Sequence, residues 1–200
     1  MALHDDLLDL ATRLVGLAAP APALASAGAI GALAAASTGA AAPAAPGTAP
    51  PIALAAPLAP AKPEAELRRG ISTAYYALFH LLIDASTTSG VATVALRPYV
   101  ARNFEHRHML AVCKRYTGLA VDMTGQPVPA EIKRIADSFV QLQDARHKAD
   151  YNVKDLVTPV EAQTLVQMAR DAFTDWAVVA PDPAADTYLT ELLVGGIKER

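Results

Sequence analysis

The chain has one cysteine among 200 residues and few charges, which make up 18% of it. With Cys113 alone, an intrachain disulfide framework and a cysteine-cluster metal site are excluded, and a reducing cytoplasm is the expected setting. Seventeen Lys and Arg stand against 20 Asp and Glu, a formal net charge of -3. No global positive field therefore draws the protein onto nucleic acid, and any RNA contact must come from a local patch. The opening Met1 to Asp6 lacks the basic segment of a signal peptide, so export is not expected. Strand-like alternation of useful length is missing as well. What is abundant is apolar surface: at 52% hydrophobic residues, a chain of this length can bury one sizeable core and is read as one domain.

Charge is also absent locally, since none occurs between Arg13 and Lys62, and nine of the fifteen prolines fall between Ala18 and Pro63. Residues 18–63 read as an Ala/Pro-rich, disordered low-complexity insertion, partly helical in its middle and extended where prolines cluster. The Pro-free run Ala23 to Ala42 has the length of a membrane span, about 20 residues. Ala and Gly supply little transfer energy, however, and no basic residues closely flank the run, so membrane insertion is not expected.

Outside that segment the sequence reads as helical. Leu3, Leu7, Leu10, Leu14 and Leu17 stripe one face of a first helix within residues 1–17. A second helix starts with Pro63 in its first turn, buries Leu67, Ile71, Ala74, Leu78, Leu81 and Ala85, and ends at Ser86 to Gly90. A third is expected from about Pro98 to Tyr116, ahead of a polar loop from Asp122 to Pro129. The fourth buries Ile132, Ile135, Phe139, Leu142, Ala145 and Ala149. Thr158-Pro159-Val160-Glu161 opens a fifth with an N-cap threonine, a first-turn proline and a glutamate at the third position. Pro181-Asp182-Pro183 ends it, and a short helix from Asp186 to Leu193 precedes Gly195-Gly196. The fold expected is all-α, an up-and-down bundle of four to five main helices across residues 64–194 and the first helix, with 195–200 as a tail.

Two clusters carry candidate chemistry: Arg146-His147-Lys148-Ala149-Asp150-Tyr151 and Arg102-Asn103-Phe104-Glu105-His106-Arg107-His108. Each sets cations and imidazoles beside an apolar face, a costly arrangement unless the groups satisfy one another or act on something. Together they point to phosphodiester or nucleotide chemistry.

Leu67 to His80, Phe104-Glu105-His106 with Met109, and Ala145 to Tyr151 resemble the pattern of bacterial HEPN-domain proteins, over the whole chain except the insertion. That resemblance implies a bundle of four or five helices, usually a homodimer. It further implies either a metal-independent RNase of a toxin or defence system or a non-catalytic module binding nucleotide, RNA or a partner protein. A cognate antitoxin or nucleotidyltransferase is the partner class that goes with it. Many of the family's RNases carry an Arg, a polar residue and then a His after four to six residues. Arg102-Asn103 to His108 matches that spacing, although six residues turn about 240° on a regular helix, whereas Arg102 and His106, four apart, share a face. In the later segment Asp150-Tyr151 stands where the family's histidine is expected.

Cleaving RNA without metal needs a base for the 2′-hydroxyl, an acid for the leaving oxygen and a cation for the phosphorane charge. Arg146 fits the phosphate clamp, His106 and His147 the acid and base, and Asp150 the orienter of Arg146 one turn earlier. Arg102, His108, Tyr151 and His80 are the candidate substrate contacts, and no cofactor or metal is expected. A structural role is open to the same residues. Arg146 and Asp150 can be an ion pair capping a helix, and Glu105 to His108 a solvated face. His80 can pack at the end of its helix and bond Tyr75, Tyr76 or a carboxylate, and the two tyrosines can be core or dimer interface.

Overall fold

The structure, a computed structural model, describes residues 2–18, 62–152 and 154–195. The insertion, with its candidate membrane run, lies outside the described residues for all but its ends. Among the described residues, no helix is long and apolar enough to cross a membrane.

The described chain is an all-α bundle. Its helices are α1 (Leu3–Leu14), α2 (Glu64–Gly90), α3 (Arg97–Ala101), α4 (His106–Tyr116), α5 (Ala130–Tyr151), α6 (Pro159–Val179) and α7 (Pro183–Gly195). Helix α2 is the centre: α1, α5, α6 and α7 all pack on it. Its 27 residues bury apolar side chains on several faces rather than in one stripe, with Leu67, Ile71, Ala74, Tyr75, Leu78 and Leu82 in the core. Phe139, Ile132, Ile135 and Leu142 of α5, Met109 and Tyr116 of α4 and Tyr188 of α7 are also among the largest fully buried side chains.

Local sequence explains most helix boundaries. The Thr158 side chain accepts a hydrogen bond from the Glu161 N–H at 3.2 Å, which caps α6 as the motif requires. Pro63 occupies the N-cap of α2 rather than its first turn, with ψ 141°. Helix α1 closes at Gly16, whose φ of 75° lets the Leu17 N–H donate to the Thr12 carbonyl at 3.0 Å.

Two further expectations are corrected. The buried positions are Ala11 and Thr12 of α1 and Val15 at its C-cap rather than the leucine stripe, of which Leu7, Leu10, Leu14 and Leu17 are half-buried, as Leu8 is, and Leu3 is exposed. The reason is Gly70: a methyl group built there would lie 2.6 Å from Val15 Cγ1 and 3.6 Å from the Ala11 carbonyl oxygen. The missing side chain lets the two backbones approach closely, with Val15, Ala11 and the Cβ of Leu14, 3.4 Å from that methyl position, seated on the glycine. The single helix expected from Pro98 to Tyr116 is instead broken between Ala101 and His106. The Asn103 side chain donates back to the Tyr99 carbonyl at 3.1 Å, and Glu105 turns extended at φ -109° to start α4. Arg102 and His106 therefore do not share a helical face.

Candidate functional site

The break at residues 102–105 sets His106 at the first turn of α4, against α2. There its ring stacks on Phe79, centroids 4.2 Å apart and planes at 25°. The His106 Nδ1 lies 2.6 Å from the Tyr75 hydroxyl. Tyr75 is fully buried, and burial pushes its phenol well above the ordinary range, so the hydroxyl stays protonated. Among the described residues the phenol has no other acceptor, so it donates to Nδ1. This assigns the imidazole proton to Nε2. The His106 pKa is lowered, first by burial and then by the nearby positive charges of Arg146 and His80, which keeps the ring neutral at pH 7.

Arg146 reaches the same aromatic floor from α5. Its Nη2 donates to the Tyr76 hydroxyl at 2.9 Å, and its Cζ lies 5.5 Å from the Tyr76 ring centre and 6.0 Å from that of Tyr75. Its Nε is 2.8 Å from Asp150 Oδ2, a charge contact rather than an aligned hydrogen bond. Ser72 donates to the other Asp150 oxygen at 2.5 Å. The His106 ring centre is itself 6.0 Å from that of Tyr76. Two groups this close to one ring lie inside the roughly 12 Å that a two-water proton relay spans. The Arg146 side chain is 22% exposed and that of Asp150 30%, so the cluster is open at its edge.

The remaining candidates scatter. His147 is exposed beside Arg146, with its ring 5.0 Å from Tyr151, and touches neither Tyr75 nor Tyr76. Tyr151 is exposed. Arg102 extends over the Tyr99 ring at 5.9 Å, on the segment before the break. His108 lies 3.9 Å from Glu105, and its buried Nδ1 has no hydrogen-bond partner among the described residues. His80 meets neither tyrosine through a hydrogen bond. Its ring sits edge-on to Phe79 at 5.5 Å, and the side chain lines a small cavity with His4, Asp84 and Arg97. Its pKa is lowered by burial and by the charge of His4.

Ser72, Phe79 and Arg68 contribute to the cluster without standing out in the sequence. Ser72, Tyr75, Tyr76 and Phe79 follow one another at helical spacing on α2, which is the signal that could have found Ser72 and Phe79. Arg68 is a second omission. Its guanidinium donates to the carbonyls of Ala149 at 3.0 Å, Asn152 at 2.9 Å and Asp155 at 2.5 Å, and pairs with Glu64 at 2.8 Å. It caps the end of α5 and fixes the turn that carries Arg146 and Asp150.

No protein-family model matches the chain, and neither the curated proteins nor the solved structures compared with it provide a match. Among the described residues, no group of three or more His, Cys, Asp or Glu side chains could hold a metal ion.

The arrangement can hold an anion. A neutral imidazole offers an Nε2–H donor, and the Arg146 Nη1 makes no hydrogen bond among the described residues. Asp150 and Tyr76 orient the guanidinium without using all its donors.

Proposed function

We propose that this chain is a HEPN-like helical module that binds a phosphate-bearing ligand, a nucleotide or RNA, at Arg146 and His106. The Tyr75–His106 hydrogen bond carries the reading. A buried, protonated phenol donating to Nδ1 leaves Nε2 as a donor with no lone pair, suited to holding a phosphate oxygen and unsuited to deprotonating a 2′-hydroxyl. The HEPN relation rests on the motifs at Leu67 to His80, Phe104 to His106 and Ala145 to Tyr151.

A second reading, a metal-independent RNA endonuclease of a toxin system, is favoured by the shared position of His106 and Arg146 over the Tyr75–Tyr76 pair. Homodimerisation belongs to it, because one chain assembles a single imidazole at this cluster and the reaction calls for both an acid and a base. A cytoplasmic setting, with an antitoxin or nucleotidyltransferase as partner, fits either reading.

Fluorescence anisotropy with a labelled single-stranded RNA, together with gel analysis of the same RNA, separates the readings. Arg146→Ala is expected to weaken binding at least about tenfold, as loss of a charge-assisted contact does, with no cleavage product at any stage. Products ending in a 2′,3′-cyclic phosphate that vanish in His106→Ala would establish the endonuclease instead. RNA and nucleotide affinities indifferent to Arg146→Ala would remove both.

A further inference from the structure

The first turn of α4 lies beside the last turns of α5, so these helices run antiparallel, and a groove of about 480 Å³ opens between them. Leu110 and Lys114 line one wall, four and eight residues after His106 on α4. Val140, Gln143 and His147, at positions i, i+3 and i+7 of α5, line the other together with Arg146 and with Asp144, whose carboxylate is neutralised by Lys148 at 2.7 Å. Lys114 has no ion-pair partner among the described residues. Gln143 lines the groove, while its Oε1 is turned out of solvent and accepts no hydrogen bond, a costly state for a buried amide oxygen. The torsion that aims this oxygen is broad and soft, so a small turn presents it to a donor in the groove.

We propose that this groove is a nucleoside subsite, in which the base of a nucleoside phosphate lies between Leu110 and Val140 and donates an exocyclic amine to the Gln143 Oε1, its phosphate reaching Arg146. The inference rests on the phosphate-binding reading above and adds the class of nucleotide. Bases that carry an amine, such as adenine, satisfy the glutamine. The volume accommodates one nucleoside, and Lys114 supplies a second positive charge for a polyanionic ligand.

Calorimetric titration of the full chain with adenosine 5′-monophosphate, purine riboside 5′-monophosphate and ribose 5-phosphate tests it. The adenosine nucleotide is expected to bind about tenfold tighter than the purine riboside analogue, which lacks only the amine, and ribose 5-phosphate weakest of the three. Gln143→Leu should erase the difference between the two nucleotides. Leu110→Glu should bring both down toward ribose 5-phosphate. Equal affinity for the three ligands, or an amine preference that survives in Gln143→Leu, overturns the subsite. If Arg146→Ala weakens all three without any preference between them, the subsite falls and the phosphate reading stands. If none of the three binds, the subsite falls, and RNA binding by the wild type and Arg146→Ala decides the phosphate reading.

Discussion

The molecule contains two tyrosine pairs built alike and closed differently. Tyr75 and Tyr76 meet at 5.4 Å and 62°, Tyr116 and Tyr188 at 4.7 Å and 59°. In each pair one hydroxyl meets a charged side chain on another helix: Tyr76 meets Arg146, and Tyr116 meets Glu191 at 2.7 Å. In each the other hydroxyl meets a titratable group, His106 for Tyr75 and Cys113, at 3.2 Å, for Tyr188. At the second pair both hydroxyls and the Glu191 carboxylate are engaged, and the one cation, Arg115, is 54% exposed. Glu191 is 9% exposed and held by both Tyr116 and Arg115, and burial pushes the Cys113 thiol up to about 12. At the first pair the imidazole and guanidinium each keep a donor. Residue type does not separate the structural cluster from the candidate site; unspent hydrogen-bonding capacity does.

The comparison breaks most visibly at Tyr188. Truncating this fully buried ring in Tyr188→Ala should cost about 3–5 kcal/mol in denaturant unfolding, as large-to-small core changes do, while folded protein keeps its affinity for phosphate ligands. An affinity that fell with it would show that the two clusters are coupled.

Tyr75→Phe probes the open pair at smaller cost, about 1–3 kcal/mol, because it strands the His106 Nδ1. The phenol's hydrogen bond favours the neutral ring, so an NMR titration of His106 should show its pKa rise in the variant. The same logic fixes the pH dependence of the wild type. His80 and His106 both titrate below their unfolded value of about 6.5, so the unfolded chain binds more protons as acidity rises. Their contribution to stability is complete above that pH and is lost as pH falls through the lowered values. Urea midpoints measured from pH 8 downward should decline below about 6.5. The closed pair adds nothing in that window.

Ser72→Ala is the mildest change, about 0.5–1.5 kcal/mol for the single bond to Asp150. Arg146 remains paired in that variant. Retention of most phosphate affinity would show that the guanidinium is oriented chiefly by Asp150 and Tyr76.

What the sequence makes legible here is local. Ile132, Ile135, Phe139 and Leu142 carry the period of α5, and the Thr158 cap is written in four adjacent residues, because both depend on neighbours within one or two turns. The site was legible only in part. His106 and Arg146 stand out as residue types, but their meeting depends on where α2 slides against α4 and α5, and their partners lie 31 and 70 residues away. The break at residues 102–105 was hidden because the Arg102 to His108 run contains no Gly or Pro. The register of α1 was hidden because it answers to Gly70, across the insertion.

The tight seat of α1 on Gly70 also decides how the chain leaves and re-enters the bundle. A methyl group built on Gly16 would stand 3.8 Å from the Lys62 Cε, so the residues flanking the insertion emerge at one doorway. For chain spanning such a doorway, each doubling of length adds only about 0.6 kcal/mol of closure entropy. Gly70, which seats α1 beside that doorway, governs where both flanks of the insertion meet the bundle, and any side chain added there would displace the exit and the re-entry together.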